Sequence, residues 1–172
     1  AGLFAGVALD GGDIVLAGSS GGALSVGTTT RASSGGVDAF AAKISSSLAP
    51  SGSDAIAYYG GTGEDRATAM TISGGKVWIA GTSKGDIGAQ TKIGEVDGFV
   101  AELDVAAGTV GYSQRFSGEE GFAAPTTIAV GQTGSSVLDR LGLPEGAIAY
   151  SDSQRITAAR AARDGDTFQI RT

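Results

Sequence analysis

Gly74-Gly75-Lys76-Val77-Trp78-Ile79-Ala80-Gly81-Thr82-Ser83 decides the fold, because the chain carries the same phrase 63 residues earlier as Gly11-Gly12-Asp13-Ile14-Val15-Leu16-Ala17-Gly18-Ser19-Ser20. In both copies a Gly-Gly turn leads into an apolar run that ends in Ala-Gly. The run has strand periodicity, with Val77 and Ile79 on one face and Trp78 on the other. Two further segments recur around it. Asp38-Ala39-Phe40-Ala41-Ala42-Lys43-Ile44 returns 59 residues later as Asp97-Gly98-Phe99-Val100-Ala101-Glu102-Leu103. Tyr58-Tyr59-Gly60-Gly61-Thr62-Gly63-Glu64-Asp65-Arg66-Ala67 returns 54 residues later as Tyr112-Ser113-Gln114-Arg115-Phe116-Ser117-Gly118-Glu119-Glu120-Gly121. The offsets differ because the loops differ in length, while the order of segments is constant.

Each unit supplies about four strands, which in the fullest copy fall near 54–59, 67–73, 76–81 and 97–103. The pattern predicts an all-β chain of tandem four-stranded antiparallel propeller-like repeats, with the last repeat cut short. A closed propeller typically needs about 4 to 8 blades, and fewer than three fit here, so the expectation is an incomplete propeller and a fragment of a larger polypeptide. Open stacking and closure by self-association are the alternatives.

Composition agrees with short strands and tight turns. The chain has 172 residues, of which 30 are glycine and 41% are hydrophobic. That is apolar enough to bury a core, and the glycines punctuate the apolar runs as turns do. There is no cysteine and no histidine. Disulfides and thiolate chemistry are thereby excluded, and the commonest general base and metal ligand is missing. The net charge is −6, and the 12 Lys and Arg form no cluster before the last twenty residues, so a nucleic-acid partner is not expected. No apolar stretch reaches the roughly 18 residues of a membrane-spanning helix.

The run from Tyr58 to Ser83 followed by Asp97 to Leu103 resembles the bacterial SBBP repeat, a β-propeller repeat family. The shared elements are a Tyr-rich strand, a Gly-Gly-x-Gly-acid-Asp turn, an apolar strand ending in Ala-Gly-Thr, and an Asp-x-Phe-Val-Ala strand. The resemblance covers about residues 1–130. It departs at Gly118 to Ala124, where the second copy lacks the Asp, and at Thr126 to Val130, which has no Gly-x-Val-Tyr sequel. It implies an exported bacterial protein, extracellular or on the cell surface, and does not imply an enzyme.

Residues 131–172 read as a separate C-terminal α/β segment belonging to a further domain. Ser135 to Gly142 suits a short helix, with serine at the N-cap and glycine as the stop. Ser151 to Arg163 suits a helix by its alanines and a strand by its lack of large apolar residues. The phrase Leu138-Asp139-x-Leu141-Gly142-Leu143-Pro144-x-Gly146, with Gly165-Asp166-Thr167-Phe168-Gln169-Ile170 after it, is similar to segments of flagellin-related and flagellar regulatory proteins of alphaproteobacteria. That resemblance implies a flagellar or surface-appendage context.

Candidate chemistry is sparse. Glu64-Asp65 supplies too few oxygens for calcium and reads as the polar tip of a hairpin. Asp10-Gly11-Gly12-Asp13 looks like half a calcium loop, but its counterpart Ser73-Gly74-Gly75-Lys76 loses both acids, as a turn can and a ligand set cannot. Asp38 and Asp97 precede equivalent strands, which suits turn capping better than a catalytic dyad. Gly60-Gly61-Thr62-Gly63 lacks the Lys-Ser/Thr of a phosphate loop, and Ser45-Ser46-Ser47 has no base beside it. Arg155, Arg160 and Arg163 form a solvated face or meet an anionic partner. No catalytic, metal or cofactor-binding residue is assigned.

The reading that follows is a non-enzymatic structural component of a bacterial cell-surface or flagellum-related appendage. Its partners would be copies of itself or other segments of the same larger protein. The alternative is a glycan- or protein-binding module that uses the repeat loops. Trp78, Tyr58, Tyr59, Tyr112 and Tyr150 are the aromatics such a module would have available.

Overall fold

A computed structural model describes residues 2–116 in full and residues 117, 127–130, 147–151 and 156–160 as backbone strands. The first sheet is built from β1 (Leu3–Asp10), β2 (Asp13–Ser20), β5 (Asp38–Ile44) and β6 (Ala55–Tyr59), in that spatial order. A two-stranded ribbon, β3 (Leu24–Val26) and β4 (Thr29–Arg31), is inserted between β2 and β5. The second sheet runs β7 (Asp65–Ser73), β8 (Lys76–Ser83), β9 (Asp97–Asp104) and β10 (Thr109–Ser117). A third contains β11 (Thr127–Val130), β12 (Ala147–Ser151) and β13 (Ile156–Arg160). All ladders are antiparallel and follow chain order, and the described residues contain no helix. The all-β expectation of tandem four-stranded sheets therefore holds, in the form of an open row rather than a closed propeller.

The recurring phrases have a common structural cause. Gly11 and Gly12, and again Gly74 and Gly75, have positive φ, as the tight two-residue β1–β2 and β7–β8 turns require. The glycine that ends each apolar run answers to close approach. A Cβ on Gly18 would stand 2.2 Å from the Leu3 carbonyl oxygen, and one on Gly81 1.9 Å from that of Arg66. Both sit beside a β-bulge, between Phe4 and Gly6 in the first sheet and between Ala67 and Ala69 in the second. The bulge pushes the neighbouring backbone inward. The phenylalanine of the Asp-x-Phe phrase then lies on that glycine. Phe40 pairs with Gly18 and Phe99 with Gly81, each ring about 3 Å from where a Cβ would be. The Ala-Gly and Asp-x-Phe phrases are thus two halves of one contact.

The two sheets bury a shared core. From the first come Val15, Ala17, Ala39, Ala41, Ala57 and Tyr59; from the second come Ala67, Val77, Ile79, Phe99, Ala101, Leu103 and Val105. Small residues on one side receive large ones from the other, so the sheets approach closely, and the Tyr59 and Phe99 rings meet at 4.8 Å. The opposite face of the first sheet carries a smaller cluster of Phe40, Ala42 and Ile56, covered by Leu24 and Val26 of the inserted ribbon. β11 runs beside β7.

Two groupings differ from the sequence expectation. The Tyr strand at 55–59 closes the first sheet, paired with β5, and does not open the second. Its place beside β7–β9 is taken by β10. The reason is the Gly60-Gly61-Thr62-Gly63 run, which crosses from sheet to sheet and is not a hairpin tip. A Cβ on Gly61 would fall 1.7 Å from the Asp86 carbonyl oxygen. In the C-terminal part, where helix and strand were both open, Ile156–Arg160 is a strand. β11 pairs with β12, so this sheet draws strands from both sides of residue 130. The short helix expected over 135–142 lies outside the described residues.

Candidate functional site

The main polar constellation lies where the strands begin and end at one edge of both sheets. Asp38, Asp65 and Asp97 are the first residues of β5, β7 and β9, and none has any solvent exposure. Each accepts a backbone N–H from four residues earlier. Ser34 donates to Asp38 Oδ2, Gly61 to Asp65 Oδ2 at 2.8 Å, and Ile93 to Asp97 Oδ2 at 2.8 Å. Gly94 adds a bond to Asp97 Oδ1 at 2.7 Å. A buried carboxylate thus folds the loop before its strand. The three loops also join one another. Asp65 N–H donates to the Val37 carbonyl, and Lys84 N–H donates to that of Glu64 at 2.9 Å.

Arg115 of β10 locks the third loop. With 3% of its side chain exposed, it pairs with Asp97 at 2.8 Å. Its guanidinium also donates to the carbonyls of Gly85 at 2.7 Å and Gln90 at 3.0 Å, and to Ser83 Oγ at 3.3 Å. Serines repeat a smaller version of the device. Ser20 Oγ donates to Gly22 O at 3.3 Å, and its counterpart Ser83 Oγ to Gly85 O at 3.1 Å. Ser19 Oγ ties the sheets together by accepting the Ala67 N–H at 2.9 Å.

These carboxyls do not share one electrostatic state. Burial raises Asp38 from its ordinary value against the Ser34 bond, and the charge of Asp65 adds to the rise. Burial likewise raises Asp65, against Ser83, Gly61 and Arg115. Burial pushes Asp97 upward too, but the N–H groups of Ile93 and Gly94 together with Arg115 outweigh it and leave Asp97 lowered. Raised carboxyls suit a general acid by chemistry, but a catalytic acid must reach its substrate. Complete burial denies Asp38 and Asp65 that reach, and what they touch is loop backbone.

The structure separates the remaining candidates. Glu64 lies outside the buried row, paired with Lys84 at 3.1 Å and Arg66 at 3.4 Å. Asp10 and Asp13 share Lys43 at 3.2 and 3.3 Å. In the next copy Lys76, at the place of Asp13, pairs with Asp104, so the turn keeps an ion pair without the two acids. Ser45 and Ser47 hydrogen-bond each other within a loop that Asp54 holds through the N–H groups of Ser45 and Ser51. Trp78 is buried with its ring 6.1 Å from that of Tyr112. Tyr58 is half-buried and donates to Gly22 O at 2.8 Å. The side chains of Tyr150 and Arg160, and Arg155 and Arg163 altogether, lie outside the described residues. No group of three acidic residues suited to a metal occurs among the described residues.

Sequence reasoning named Asp65 only as half of the Glu64-Asp65 turn tip, and it passed over Arg115. Asp65 was hidden by Glu64 beside it, although its place four residues after Gly61 matches Asp38 and Asp97. Arg115 had a visible signal, a charge on the core-facing side of an alternating strand, where it pairs with Phe99. At the opposite edge a groove of about 390 Å³ is lined by Asp13, Thr29, Arg31, Lys43, Asp54 and Ala106, among others.

Fold and site together define a class: a tandem four-stranded β-sheet protein whose buried aspartates order one edge of loops. No protein-family model matches the chain, so the likeness to the SBBP-type repeat rests on its motifs alone. Among curated proteins the chain is similar to "Regulatory protein FlaEY" of Caulobacter vibrioides, with 42% identity over 172 residues. The match takes in 99% of this chain and 18% of the relative's length.

Proposed function

We propose that this chain is a non-enzymatic structural segment of a flagellum-related bacterial protein, acting outside the cell or at its surface. The observation that carries the flagellar part is the 42% identity to "Regulatory protein FlaEY", held along 99% of the chain, beside the flagellar likeness of the C-terminal phrases. The non-enzymatic part is supported by the chemistry of the buried row. Its carboxylates and Arg115 direct most of their hydrogen bonds to loop backbone and the rest to one another and Ser83, which is structural work.

The test is an in-frame deletion of the segment in its native host, read by swimming motility and by flagellin in cell and culture-fluid fractions. A structural role predicts normal flagellin synthesis with defective motility or filaments, and the protein itself in the surface or extracellular fraction. Altered flagellin synthesis with the protein retained in the cytoplasm would replace this reading with a regulatory one. Unchanged motility and flagellin would remove the flagellar reading.

A second reading has one specific support, the groove beside Arg31 and Lys43. Its loops make it the natural site for a glycan or protein partner. Binding that is lost in Arg31→Ala with unchanged folding would favour it.

A further inference from the structure

The first sheet has a bare apolar face, and the second sheet shows what covers such a face. On β1, Phe4, Val7 and Leu9 are 76%, 67% and 74% exposed. They stand on the same side as the half-buried Ile14 and Leu16 of β2, since Leu9 pairs with Ile14 and Val7 with Leu16. A contiguous patch of this kind is uncommon on an isolated soluble domain. The residues 63 positions later occupy the same places in the second sheet, because both hairpins turn at Gly-Gly and both bulge at the same point. Phe4 corresponds to Ala67, Val7 to Met70, Leu9 to Ile72, Ile14 to Val77 and Leu16 to Ile79. Those five residues pack into the core shared with the preceding sheet.

The covering surface in that case is the other face of the first sheet, made of Ala5, Val15, Ala17 and their neighbours on β5 and β6. It is flat and small-residued, and it receives the larger side chains of β7 and β8. The inserted ribbon covers only the β5–β6 half of the bare side, through Leu24 and Val26. Among the described residues nothing covers the β1–β2 half.

We propose that the β1–β2 face is a docking surface for a further four-stranded sheet of the same repeat, carried by the same polypeptide. The occupant presents small apolar residues, as Val15 and Ala17 do toward the second sheet. The same-chain source follows from the way the first two sheets pack against each other as chain neighbours, with β11 next in the chain lying beside β7. The inference does not depend on the flagellar reading.

The test uses the absence of native cysteine in this chain. Val7→Cys is compared with Ile93→Cys, an exposed loop position, by the rate of maleimide alkylation. The measurement is made on the 172-residue chain alone and on the polypeptide as the native host makes it. In the chain alone both cysteines should react at similar rates. In the native polypeptide the Val7→Cys thiol should react at least about tenfold more slowly, because modification must wait for the sheets to part. Leu9→Glu gives a second readout, leaving the melting temperature of the 172-residue chain unchanged and lowering that of the native polypeptide. Rapid alkylation of Val7→Cys in the native polypeptide would overturn the proposal. So would protection that disappears on dilution, which would make the occupant a second copy.

Discussion

Arg115→Met removes the guanidinium from the buried row and keeps a side chain of similar length. Breaking a buried ion pair by deleting one partner typically costs about 3–5 kcal/mol, because the other charge stays buried and uncompensated. Asp97 retains the Ile93 and Gly94 N–H bonds, which holds the loss toward the lower end. The carbonyls of Gly85 and Gln90 lose a charged donor, which pulls the other way. For a chain of this size 3–5 kcal/mol corresponds to a fall in melting temperature of roughly 6–20 °C. Thermal unfolding followed by circular dichroism at pH 7 reads it directly. Asp97 sits below its ordinary value in the folded state, so its contribution is present above that value and lost as pH falls through the lowered one. Without Arg115 its folded-state value rises, and acid unfolding of the variant should begin at higher pH. In Arg115→Met/Asp97→Asn the stranded charge is gone, and the double variant should be more stable than the sum of the single losses predicts. A drop below about 1 kcal/mol for Arg115→Met, or strict additivity of the two changes, would refute the reasoning that this pair is buried and coupled.

Asp38→Asn should behave in the opposite sense. Burial raises Asp38 in the folded state, so the stability it contributes is complete below the ordinary aspartate value and is lost as pH rises through the raised one. The amide can still accept from Ser34 and carries no charge, so the variant should match the parent near pH 3 and exceed it in melting temperature at pH 7. Greater loss at pH 7 than at pH 3 would contradict the assignment. Gly81→Ala should destabilise by at least about 1–3 kcal/mol, because its Cβ would meet the Arg66 carbonyl oxygen at 1.9 Å and backbone must move. Gly75→Ala has open space and only a positive φ to oppose it, so it should cost about 1–2 kcal/mol. Equal chemical-denaturation midpoints for Gly81→Ala and the parent would remove close approach as the reason for the Ala-Gly phrase.

The strands were legible because each repeated phrase stores a contact made inside one sheet. Gly-Gly sets the turn, the Ala-Gly glycine admits the bulged backbone, and the Asp-x-Phe phenylalanine caps that glycine from the next strand. Such contacts join residues whose types are narrowly constrained, so they survive as recognisable words. The grouping of strands into sheets was less legible, because Tyr58-Tyr59 and the glycines after it lie at a seam. Pairing with β5 and crossing to β7 leave similar traces in sequence. The carboxylate row was half legible for a related reason. Asp38 and Asp97 open strands with the same phrase, whereas Asp65 opens one with a different phrase, although its work is the same.

The seam also bears on why the buried row exists. The first and second sheets contact each other through alanines, a valine and a serine on one side and larger apolar residues on the other, a surface with little directional information. A sheet could slide along it at modest cost. The loop edge removes that freedom. Asp65 is held by Gly61 on its own chain segment and, through its N–H, by Val37 of the loop that leads into β5 of the preceding sheet. Ser19 reaches from the first sheet to Ala67 of the second. These bonds are short-ranged and directional, and each would be left unpaired in a buried site if the sheets shifted by one residue. The apolar faces supply most of the attraction between sheets, and the buried polar edge fixes their register.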